Sequence, residues 1–353
     1  MAEADRMRIA VVGAGVIGLA TADALHRRGA EVVCLEADVP MAARSAGSSR
    51  IFRLAHADPG LVAYAATARK LWAEWSDRAG APLVGTEGAV LTGPPARDWS
   101  AAMAAADVAH SLADDTEGLG LPVPTLPGPV LVDPAGGVID VPAVSAFLQA
   151  AVAPALRPGY VHRLAVSPGD IVTLSTSASS IEVDRVVVAA GRGTWQLASQ
   201  VGVYVPTALA HHVRFTFPLR DPELTPPCWM DRTESWRPGF TTYQQLSGAG
   251  RWSVGAALPP ADAAWERGRA AVTARSRDLV RAYVREVLVG VEDEIVEEVY
   301  CDVPPGLGDG IHVANAGPVT AVWGDNLFKH APAIGASLAA AIVDGTVPDI
   351  PPA

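Results

Sequence analysis

The stretch Arg8-Ile-Ala-Val-Val-Gly-Ala-Gly-Val-Ile-Gly18 decides the fold of this 353-residue chain. A short apolar run typical of a buried strand leads into the spacing Gly-x-Gly-x-x-Gly, and a helical pattern follows that ends at Gly29. In such a unit the first glycine permits a tight turn, the second lets the backbone approach a pyrophosphate, and the third allows close helix-to-strand packing. The unpaired N–H groups at the start of the helix also favour a phosphate. We therefore predict a dinucleotide site at Gly13, Gly15, Val16, Ile17 and Gly18.

The next predicted strand, Glu31-Val-Val-Cys-Leu35, leads directly to Glu36. A carboxylate at this place accepts hydrogen bonds from ribose hydroxyls and disfavours a 2′-phosphate, which argues against NADP. Glu36 and its neighbour Ala37 therefore complete the predicted nucleotide site. The alternative, a glycine-rich turn with a glutamate that faces the core, stays open.

Composition narrows the class of partner. The net charge of −11 and the absence of a basic run argue against nucleic acid and anionic membranes, so we expect a small-molecule substrate. Three scattered cysteines, Cys34, Cys228 and Cys301, are too few for a disulfide framework or a metal site, and we expect no metal. Without a basic leader or a long apolar run, the chain is expected to be cytoplasmic, as a monomer or small homo-oligomer.

The remaining patterns predict two domains. Apolar runs such as Arg185-Val-Val-Val-Ala-Ala-Gly191 suit a return to the parallel sheet, and Gly191 is a further predicted cofactor contact. Runs such as Val213-Arg-Phe-Thr-Phe217 indicate a second, antiparallel sheet. We predict an α/β protein, α+β overall, with a Rossmann-like dinucleotide-binding domain on a parallel sheet and a second domain on a largely antiparallel sheet with covering helices. The predicted boundaries are 1–80, 146–205 and 290–353 for the nucleotide domain, and 81–145 and 206–289 for the substrate domain.

The order of motifs resembles the monomeric sarcosine oxidase branch of the D-amino acid oxidase-like FAD-dependent oxidoreductases, over nearly the whole chain. The likeness is carried by the glycine motif with Glu36 and by three further stretches, Ser49-Arg-Ile-Phe-Arg53 with the following Lys70-Leu-Trp72 helix, Asp133-Pro-Ala-Gly-Gly137, and Cys301 with Leu327-Phe-Lys329. The resemblance implies FAD as cofactor, joined covalently through Cys301. The alternative for Cys301 is a small buried hydrophobic residue.

The same resemblance assigns the catalytic positions. It implies that Arg53 and Lys329 hold a substrate carboxylate and that Arg50 lies at the flavin face, where a cation stabilises reduced flavin. Only Lys70 and Lys329 are lysines among 27 basic residues, which suggests that arginine does not serve at position 329. The alternative is that these are solvated surface cations. Further predicted cofactor contacts lie at Ser49, Gly324, Asn326, Leu327 and Phe328.

Several positions depart from the family pattern. The family motif Gly-x-Lys-x-Gly-x-His, aligned on Gly255, has Ser253 in place of lysine and Ala257 in place of histidine. In the family, that lysine is associated with oxygen activation. Either Arg251, a nearby histidine or bound water therefore serves in its place, or oxygen is not the electron acceptor. Lys70 is a poor replacement. The candidate bases are His211, His212 and His330, with hydrogen-bonded structural histidines as the favoured alternative.

The expected activity is amine oxidation. The enzyme would remove a hydride equivalent from the carbon that bears the amine of an amino acid and give an imine. The chain has lost polar residues of the family pattern, and Val303 stands where the family has a tyrosine. Tryptophans could line the pocket as well; they are Trp229, Trp236, Trp252 and Trp323. Both features favour a secondary, cyclic or bulky amino acid, in keeping with secondary metabolism. The alternatives are a dehydrogenase with a non-oxygen acceptor and a non-catalytic nucleotide-binding flavoprotein.

Overall fold

The computed structural model describes residues 6–352, and the chain forms two compact units. Unit 1 comprises Met1–Ala46, Ala143–Ala208 and Pro304–Ala353, and unit 2 comprises Gly47–Pro142 and Leu209–Val303. The contacts group 47–80 and 290–303 with unit 2, whereas the predicted boundaries placed both segments in the nucleotide domain. The functions assigned to the segments stay predictions.

Eight α-helices are found among the described residues. They are α1 Val16–Arg27, α2 Pro59–Ala79, α3 Pro95–Ala105, α4 Val141–Val152, α5 Thr194–Ala198, α6 Pro260–Ala263, α7 Arg269–Val287 and α8 Ala331–Asp344. The strands are β1 Arg8–Val12, β2 Glu31–Glu36, β3 Ser49–Phe52, β4 Ala89–Thr92, β5 Ser111–Asp115, β6 Pro127–Asp133, β7 Gly137–Asp140, β8 Leu156–Pro158, β9 Val161–Val166, β10 Val172–Thr176, β11 Ser180–Val183, β12 Arg185–Val188, β13 Ala210–Pro218, β14 Cys228–Asp231, β15 Thr242–Leu246, β16 Arg251–Ala256, β17 Glu297–Val303, β18 Ile311–Ala316 and β19 Val319–Gly324.

Unit 1 is built on a six-stranded sheet with the order β18-β19-β12-β1-β2-β8. Its pairs are parallel except at the edge, where β18 runs antiparallel to β19. The buried apolar residues of β1 and β12 explain why these strands lie centrally, since a parallel sheet covered on both faces needs continuous apolar runs. Helices α1 and α8 pack closely because Gly335 has no side chain; a Cβ there would lie 2.6 Å from the Ala20 carbonyl.

Unit 2 is built on an eight-stranded sheet with the order β17-β13-β16-β15-β14-β4-β6-β5. Neighbouring strands are antiparallel except for the parallel pair β14–β4. One face of this sheet is apolar, and its Phe215, Phe217 and Trp252 belong to one buried cluster with Val280 and Tyr283 of α7. Helix α7 therefore covers this face of the sheet.

The predicted fold class is confirmed, with a parallel sheet and a largely antiparallel sheet. The segment between Ala261 and Leu288 is not one continuous helix: α6 ends at Ala263, and α7 begins only after Gly268, whose φ of +78° no α-helix residue adopts. Cys228 begins β14. None of the helices among residues 6–352 combines the length and the apolar character that a membrane crossing requires.

Candidate functional site

The glycine motif of unit 1 forms the turn that the sequence predicts. Gly13 has φ of +102°, and a Cβ there would lie 2.5 Å from the Ala189 carbonyl oxygen. A Cβ at Gly18 would lie only 1.8 Å from the Gly13 carbonyl oxygen, so α1 packs against the turn only with glycine at this position. Gly15 precedes α1 in extended conformation, which leaves the first N–H groups of the helix at the turn. We call Gly13–Gly18 the glycine cradle.

Two side chains of unit 1 fix the glycine cradle. Glu36, the last residue of β2, accepts a hydrogen bond from the Ala14 N–H at 2.6 Å through Oε2, and one from the Asp38 N–H at 3.1 Å through Oε1. Ser45 Oγ accepts from the Val16 N–H at 3.0 Å. The carboxylate of Glu36 suits the hydroxyls of a ribose, and the N–H groups at the start of α1, where Ser45 lies, suit a pyrophosphate. Ala37 is exposed beside Glu36.

The closing segment of unit 1 holds Lys329 in a partly buried ion pair. The residues Leu327–His330 form a 3₁₀ turn after Asn326, and Lys329 is 5 % exposed. Its Nζ donates to Asp309 Oδ1 at 3.0 Å and to the Asn326 carbonyl oxygen at 3.2 Å. Lys329 is thus a buried cation with a carboxylate partner, rather than a solvated surface charge.

A second ion pair lies in the same segment. Arg44 Nη2 donates to Asp325 Oδ1 at 2.8 Å, and Nη1 donates to the Gly324 carbonyl oxygen at 3.2 Å. Burial raises the pKa of Asp325, and the cations Arg44 and Lys329 oppose that rise. Two cations therefore face two carboxylates here, and the charges balance.

Unit 2 carries a row of polar side chains on the sheet face opposite to α7. In the register of β13 with β17, His212 lies opposite Cys301 and Thr216 lies opposite Glu297. In the register of β13 with β16, Arg214 lies opposite Gly255 and Thr216 opposite Ser253. Directly opposite residues share a face, and alternate residues along a strand do so too. We call this set the polar face: His212, Arg214, Thr216, Tyr243, Gln245, Ser253, Glu297 and Cys301.

Strand β3 brings the arginine loop onto the polar face. Arg214 Nη1 donates to the Ser49 carbonyl oxygen at 3.0 Å, and Gln245 Nε2 donates to Ser49 Oγ at 3.3 Å. Burial, and after it the charge of Arg214, lowers the pKa of Arg50 to about 10, while Cys301 acts in the opposite direction. Arg50 therefore remains a cation at neutral pH and lies within electrostatic reach of the cysteine.

Two further ionisable groups complete this face. Glu297 accepts hydrogen bonds from the hydroxyls of Ser48, Thr216 and Ser247. Burial opposes ionisation of Glu297, but these hydrogen bonds and the charge of Arg214 leave its pKa below the usual value. Burial, followed by the charges of Arg214 and Arg50, lowers the pKa of His212 to about 4, so its imidazole is neutral at pH 7.

The three cysteines differ in environment. Cys301 is partly exposed in β17, whereas Cys34 and Cys228 are buried. Burial raises the pKa of Cys34 to about 12 and raises that of Cys228 as well, so both thiols stay protonated and unreactive. Cys301 is thus the cysteine with access to a ligand.

Arg53 lies in unit 2 among polar and aromatic partners. Its Nη1 donates to the Ala55 carbonyl oxygen, and its guanidinium carbon lies 4.8 Å from the Trp99 ring centroid. Asp133, at the start of the third stretch of the resemblance, accepts hydrogen bonds from the Leu54 N–H at 2.5 Å and the Ala55 N–H at 3.1 Å. Asp133 therefore holds the backbone that positions Arg53.

The positions that depart from the family pattern have clear places. Ser253 is buried and hydrogen-bonds to Thr216, with 3.1 Å between the two hydroxyl oxygens. Arg251 is exposed at the start of β16, and Lys70 is exposed on α2. Ala257 lies directly after β16, and its methyl side chain cannot replace the histidine of the family pattern. Val303 is half-buried and is the last residue of β17.

The other histidine and tryptophan candidates lie in structural contacts. His211 bonds through both ring nitrogens, Nδ1 to the Tyr300 hydroxyl at 2.7 Å and Nε2 to the Trp265 carbonyl oxygen at 3.1 Å, which is a structural arrangement. His330 is fully buried at the start of α8. The tryptophans of the second sheet pack in or against the core cluster under α7 instead of lining a pocket; they are Trp229, Trp236 and Trp252. Trp323 stacks on His312 in unit 1, with 5.5 Å between ring centroids.

Sequence reasoning missed several residues of the site. They are Arg44, Ser45, Asp309, Arg214, Tyr243, Gln245 and Glu297. For Arg214 a usable pattern was present, since Val213-Arg-Phe-Thr-Phe217 alternates apolar and polar residues and so assigns Arg214 and Thr216 to the face away from the core.

The glycine cradle with Glu36 defines an α/β dinucleotide-binding protein, and the comparisons give the family. A family model described as "FAD dependent oxidoreductase" (DAO) matches residues 8–341. The chain therefore belongs to this family of FAD-dependent oxidoreductases, which confirms the resemblance seen in the sequence. No curated protein matches the chain.

Solved structures share the fold. NikD, described as an unusual amino acid oxidase essential for nikkomycin biosynthesis, matches with TM-score 0.80 and 21% identity over 96% of this chain and 94% of its own. Glycine oxidase from Geobacillus kaustophilus matches with TM-score 0.76 and 18% identity over 98% and 97% of the two chains. L-proline dehydrogenase from P. horikoshii matches with TM-score 0.74 and 15% identity over 98% and 95%.

Proposed function

We propose that this protein oxidises an amino acid at the carbon that bears its amine. A hydride equivalent passes to FAD, and the substrate leaves as an imine. The observation that carries the proposal is the polar face, where the buried Arg214, a neutral histidine and a partly exposed cysteine share one side of a sheet. A protein that only stored a nucleotide would have no need of this arrangement.

The residues fit FAD in two respects. The glycine cradle offers helix N–H groups for the pyrophosphate, with Glu36 for the ribose hydroxyls. The polar face offers Arg214, a buried guanidinium with unpaired N–H groups, toward a ring that becomes negative on reduction. FAD supplies the acceptor for the hydride equivalent, and the chain supplies binding, orientation and electrostatics. Gly191, Gly324, Asn326, Leu327 and Phe328 remain proposed contacts of the cofactor.

Cys301 is proposed to carry the flavin through a bond from its sulfur to the 8α carbon. Its partial exposure and its place opposite His212 on the polar face support this role, because a thiol must be accessible in order to react with a ligand. Cys34 and Cys228 lack these conditions, since their burial raises the pKa of each thiol.

The substrate carboxylate is proposed to be held by Arg53 and Lys329. Both side chains are largely buried cations, at 9 % and 5 % exposed, and a buried cation gains from a carboxylate partner. Lys329 already faces Asp309, so a substrate carboxylate would share the ammonium with that side chain. His212 is neutral at pH 7, but its pKa of about 4 makes it a poor acceptor for the proton that the substrate amine loses, which favours the structural alternative for this histidine.

The substrate is proposed to be a secondary, cyclic or bulky amino acid, in a biosynthetic setting. Two of the proteins that share the fold act, by their names, on amino acids as different as glycine and L-proline, so the fold accommodates both sizes. Ser253 and Ala257 offer no charged group to a small polar substrate. A cytoplasmic location and a monomer or small homo-oligomer stay predictions.

A second candidate is a dehydrogenase of the same substrates with an acceptor other than oxygen. Ser253 favours it, because its hydroxyl bonds to Thr216 and no lysine stands at this position. Arg251 does not replace the lysine, since it is exposed at the start of the strand.

The proposed function is tested with purified protein and FAD under anaerobic conditions. Addition of a cyclic secondary amino acid is expected to bleach the flavin spectrum more effectively than N-methylglycine. On readmission of air, peroxide release identifies an oxidase, whereas reduction of an added dye without peroxide identifies a dehydrogenase. If neither amine bleaches the spectrum, the proposed reaction is wrong.

The covalent bond is tested by acid precipitation. Yellow colour is expected in the pellet of the wild type and of Cys228→Ala, and in the supernatant of Cys301→Ser. Colour in the wild-type supernatant would show that the flavin is held without a bond.

A further inference from the structure

The polar face carries more positive than negative charge. Arg50 and Arg214 are cations at neutral pH, while Glu297 is the anion on this face and His212 is neutral. Tyr243 and Cys301 are the other ionisable groups that face this cluster among the described residues. Two like charges therefore lie close together, since the charge of Arg214 lowers the pKa of Arg50, and a buried charge is costly unless it is paired.

Arg214 is the side chain whose bonding is least complete. It is 4 % exposed, and Nη1 donates to the Ser49 carbonyl oxygen at 3.0 Å. Its Nε and Nη2 have no hydrogen-bond partner among the residues described. A buried donor left unpaired is costly, and more so when it is charged, so these two groups point to a ligand.

Gly47 shows how close the two guanidinium groups lie to each other. Its φ is +113°, and a Cβ there would lie 3.0 Å from Arg50 Nη1 and 3.2 Å from Arg214 Nη2. The two guanidinium groups thus lie against the same glycine, and a side chain at this position would crowd both of them. Nη2 of Arg214 is one of its two nitrogens without a hydrogen-bond partner among the described residues.

We infer that Arg214, paired with Arg50, forms an anion site on the polar face, and that the anion it takes is the negatively charged ring of reduced flavin. The inference rests on the proposed function and adds a residue to it. Cys301 is on the same face, opposite His212, and Arg214 lies two residues further along β13. A ring joined to that sulfur would lie over this face, within reach of the two guanidinium groups. Delocalised negative charge on a flat ring suits a pair of planar guanidinium groups.

The consequence is a higher reduction potential of the bound flavin. When the ring takes a hydride equivalent and becomes an anion, Arg214 supplies a compensating charge that is already in place, so little reorganisation is needed. Arg214 is thus a tuning residue that favours electron transfer from the substrate.

The test compares Arg214→Met with Arg251→Met, an exposed arginine of the same sheet. The midpoint potential of the bound flavin and its affinity for sulfite are measured in each, because sulfite addition also places negative charge on the ring. Arg214→Met is expected to weaken sulfite binding at least tenfold and to lower the potential by about 30 mV for each tenfold change in the equilibrium. Arg251→Met is expected to match the wild type.

Two further variants keep the test decisive. Arg214→Lys retains the charge and is expected to stay within about threefold of the wild type, in line with a change of geometry alone. Arg214→Gln is neutral and polar, and it replaces Arg214→Met if the apolar variant does not fold; the same loss is expected.

The outcomes separate the two proposals. If the potential and the sulfite affinity of the neutral variants equal those of Arg251→Met, Arg214 does not face the ring and this inference is wrong, while FAD binding and amine bleaching still support the proposed function. If the neutral variants lose only the spectral response to acetate or benzoate, the site takes a carboxylate instead, and the inference is again wrong. If the wild-type protein binds FAD and no amine bleaches the flavin spectrum, the proposed reaction is wrong. The reduction potentials of the variants can still be measured, so the inference about Arg214 is tested separately.

Discussion

The glycine cradle of unit 1 and the polar face of unit 2 are built in opposite ways. The cradle is one contiguous stretch, and its polar groups are satisfied locally, as in the bonds from Glu36 to the Ala14 N–H and from Ser45 to the Val16 N–H. The polar face is assembled from four strands, β13, β15, β16 and β17, with β3 in contact with it, and two donors of its buried Arg214 have no partner among the described residues. Backbone shape defines the first region, whereas side-chain electrostatics define the second.

The difference shows what each region contributes. A cradle whose backbone is already fixed by Glu36 and Ser45 presents a fixed shape, and its specificity comes from geometry. A face with a buried guanidinium whose donors are not all bonded is less stable when empty and gains when an anion arrives, so its contribution is to the chemistry. Substitutions in the cradle are therefore expected to act on folding, and substitutions on the face are expected to act through charge.

The largest expected effect is that of Gly18→Ala. A Cβ at this position would lie 1.8 Å from the Gly13 carbonyl oxygen, so the turn or α1 must move, and we expect a loss of more than about 4 kcal/mol in the free energy of unfolding. The measurement is urea denaturation followed by circular dichroism. The control is Gly169→Ala, also in unit 1, where a Cβ meets nothing within 4 Å; it is expected to stay within about 0.5 kcal/mol. Equal stability of the two variants would contradict the role of shape.

A smaller but substantial loss is expected where unit 1 does use charge. In Asp309→Asn the buried ammonium of Lys329 loses its carboxylate partner, and removal of one member of a buried pair costs about 3–5 kcal/mol. The double variant Asp309→Leu with Lys329→Met is expected to recover most of that loss, because no unpaired charge remains. Urea denaturation of the single and double variants forms a thermodynamic cycle. Losses that simply add would show that the two side chains are not coupled.

The same contrast explains how much the sequence predicts. The glycine cradle and Glu36 follow from spacing alone, since each glycine has a local steric reason. The two sheets also follow, because apolar runs and alternation are local patterns. The place of Arg214 beside Arg50 does not follow, since residues 50 and 214 are brought together only by strand pairing and by the contact of β3 with β15. The pairing of Lys329 with Asp309 likewise depends on the loop between β17 and β18, which has no repeating pattern to read.

The smallest of these effects tests the charge excess directly, through pH. His212 has a pKa lowered to about 4 by burial and by Arg214 and Arg50, so the folded protein resists a proton that the unfolded chain takes up near pH 6.5. The stability from this difference is fully present above about pH 6.5 and is lost as the pH falls toward 4, by about 2–3 kcal/mol.

His212→Gln is expected to lose this part of the pH dependence. Unfolding free energies of the variant and the wild type, measured between pH 7 and pH 4.5, isolate the contribution of His212 because the other carboxylates titrate in both proteins. His162→Gln, an exposed histidine on β9, is expected to keep the wild-type slope. A variant at 212 with the wild-type slope would mean that no excess cation faces the imidazole. After burial, the charge of Arg214 contributes most to the lowered pKa of His212. If the pH dependence of Arg214→Met is weaker than that of the wild type, the guanidinium of Arg214 is the cation that acts on the imidazole.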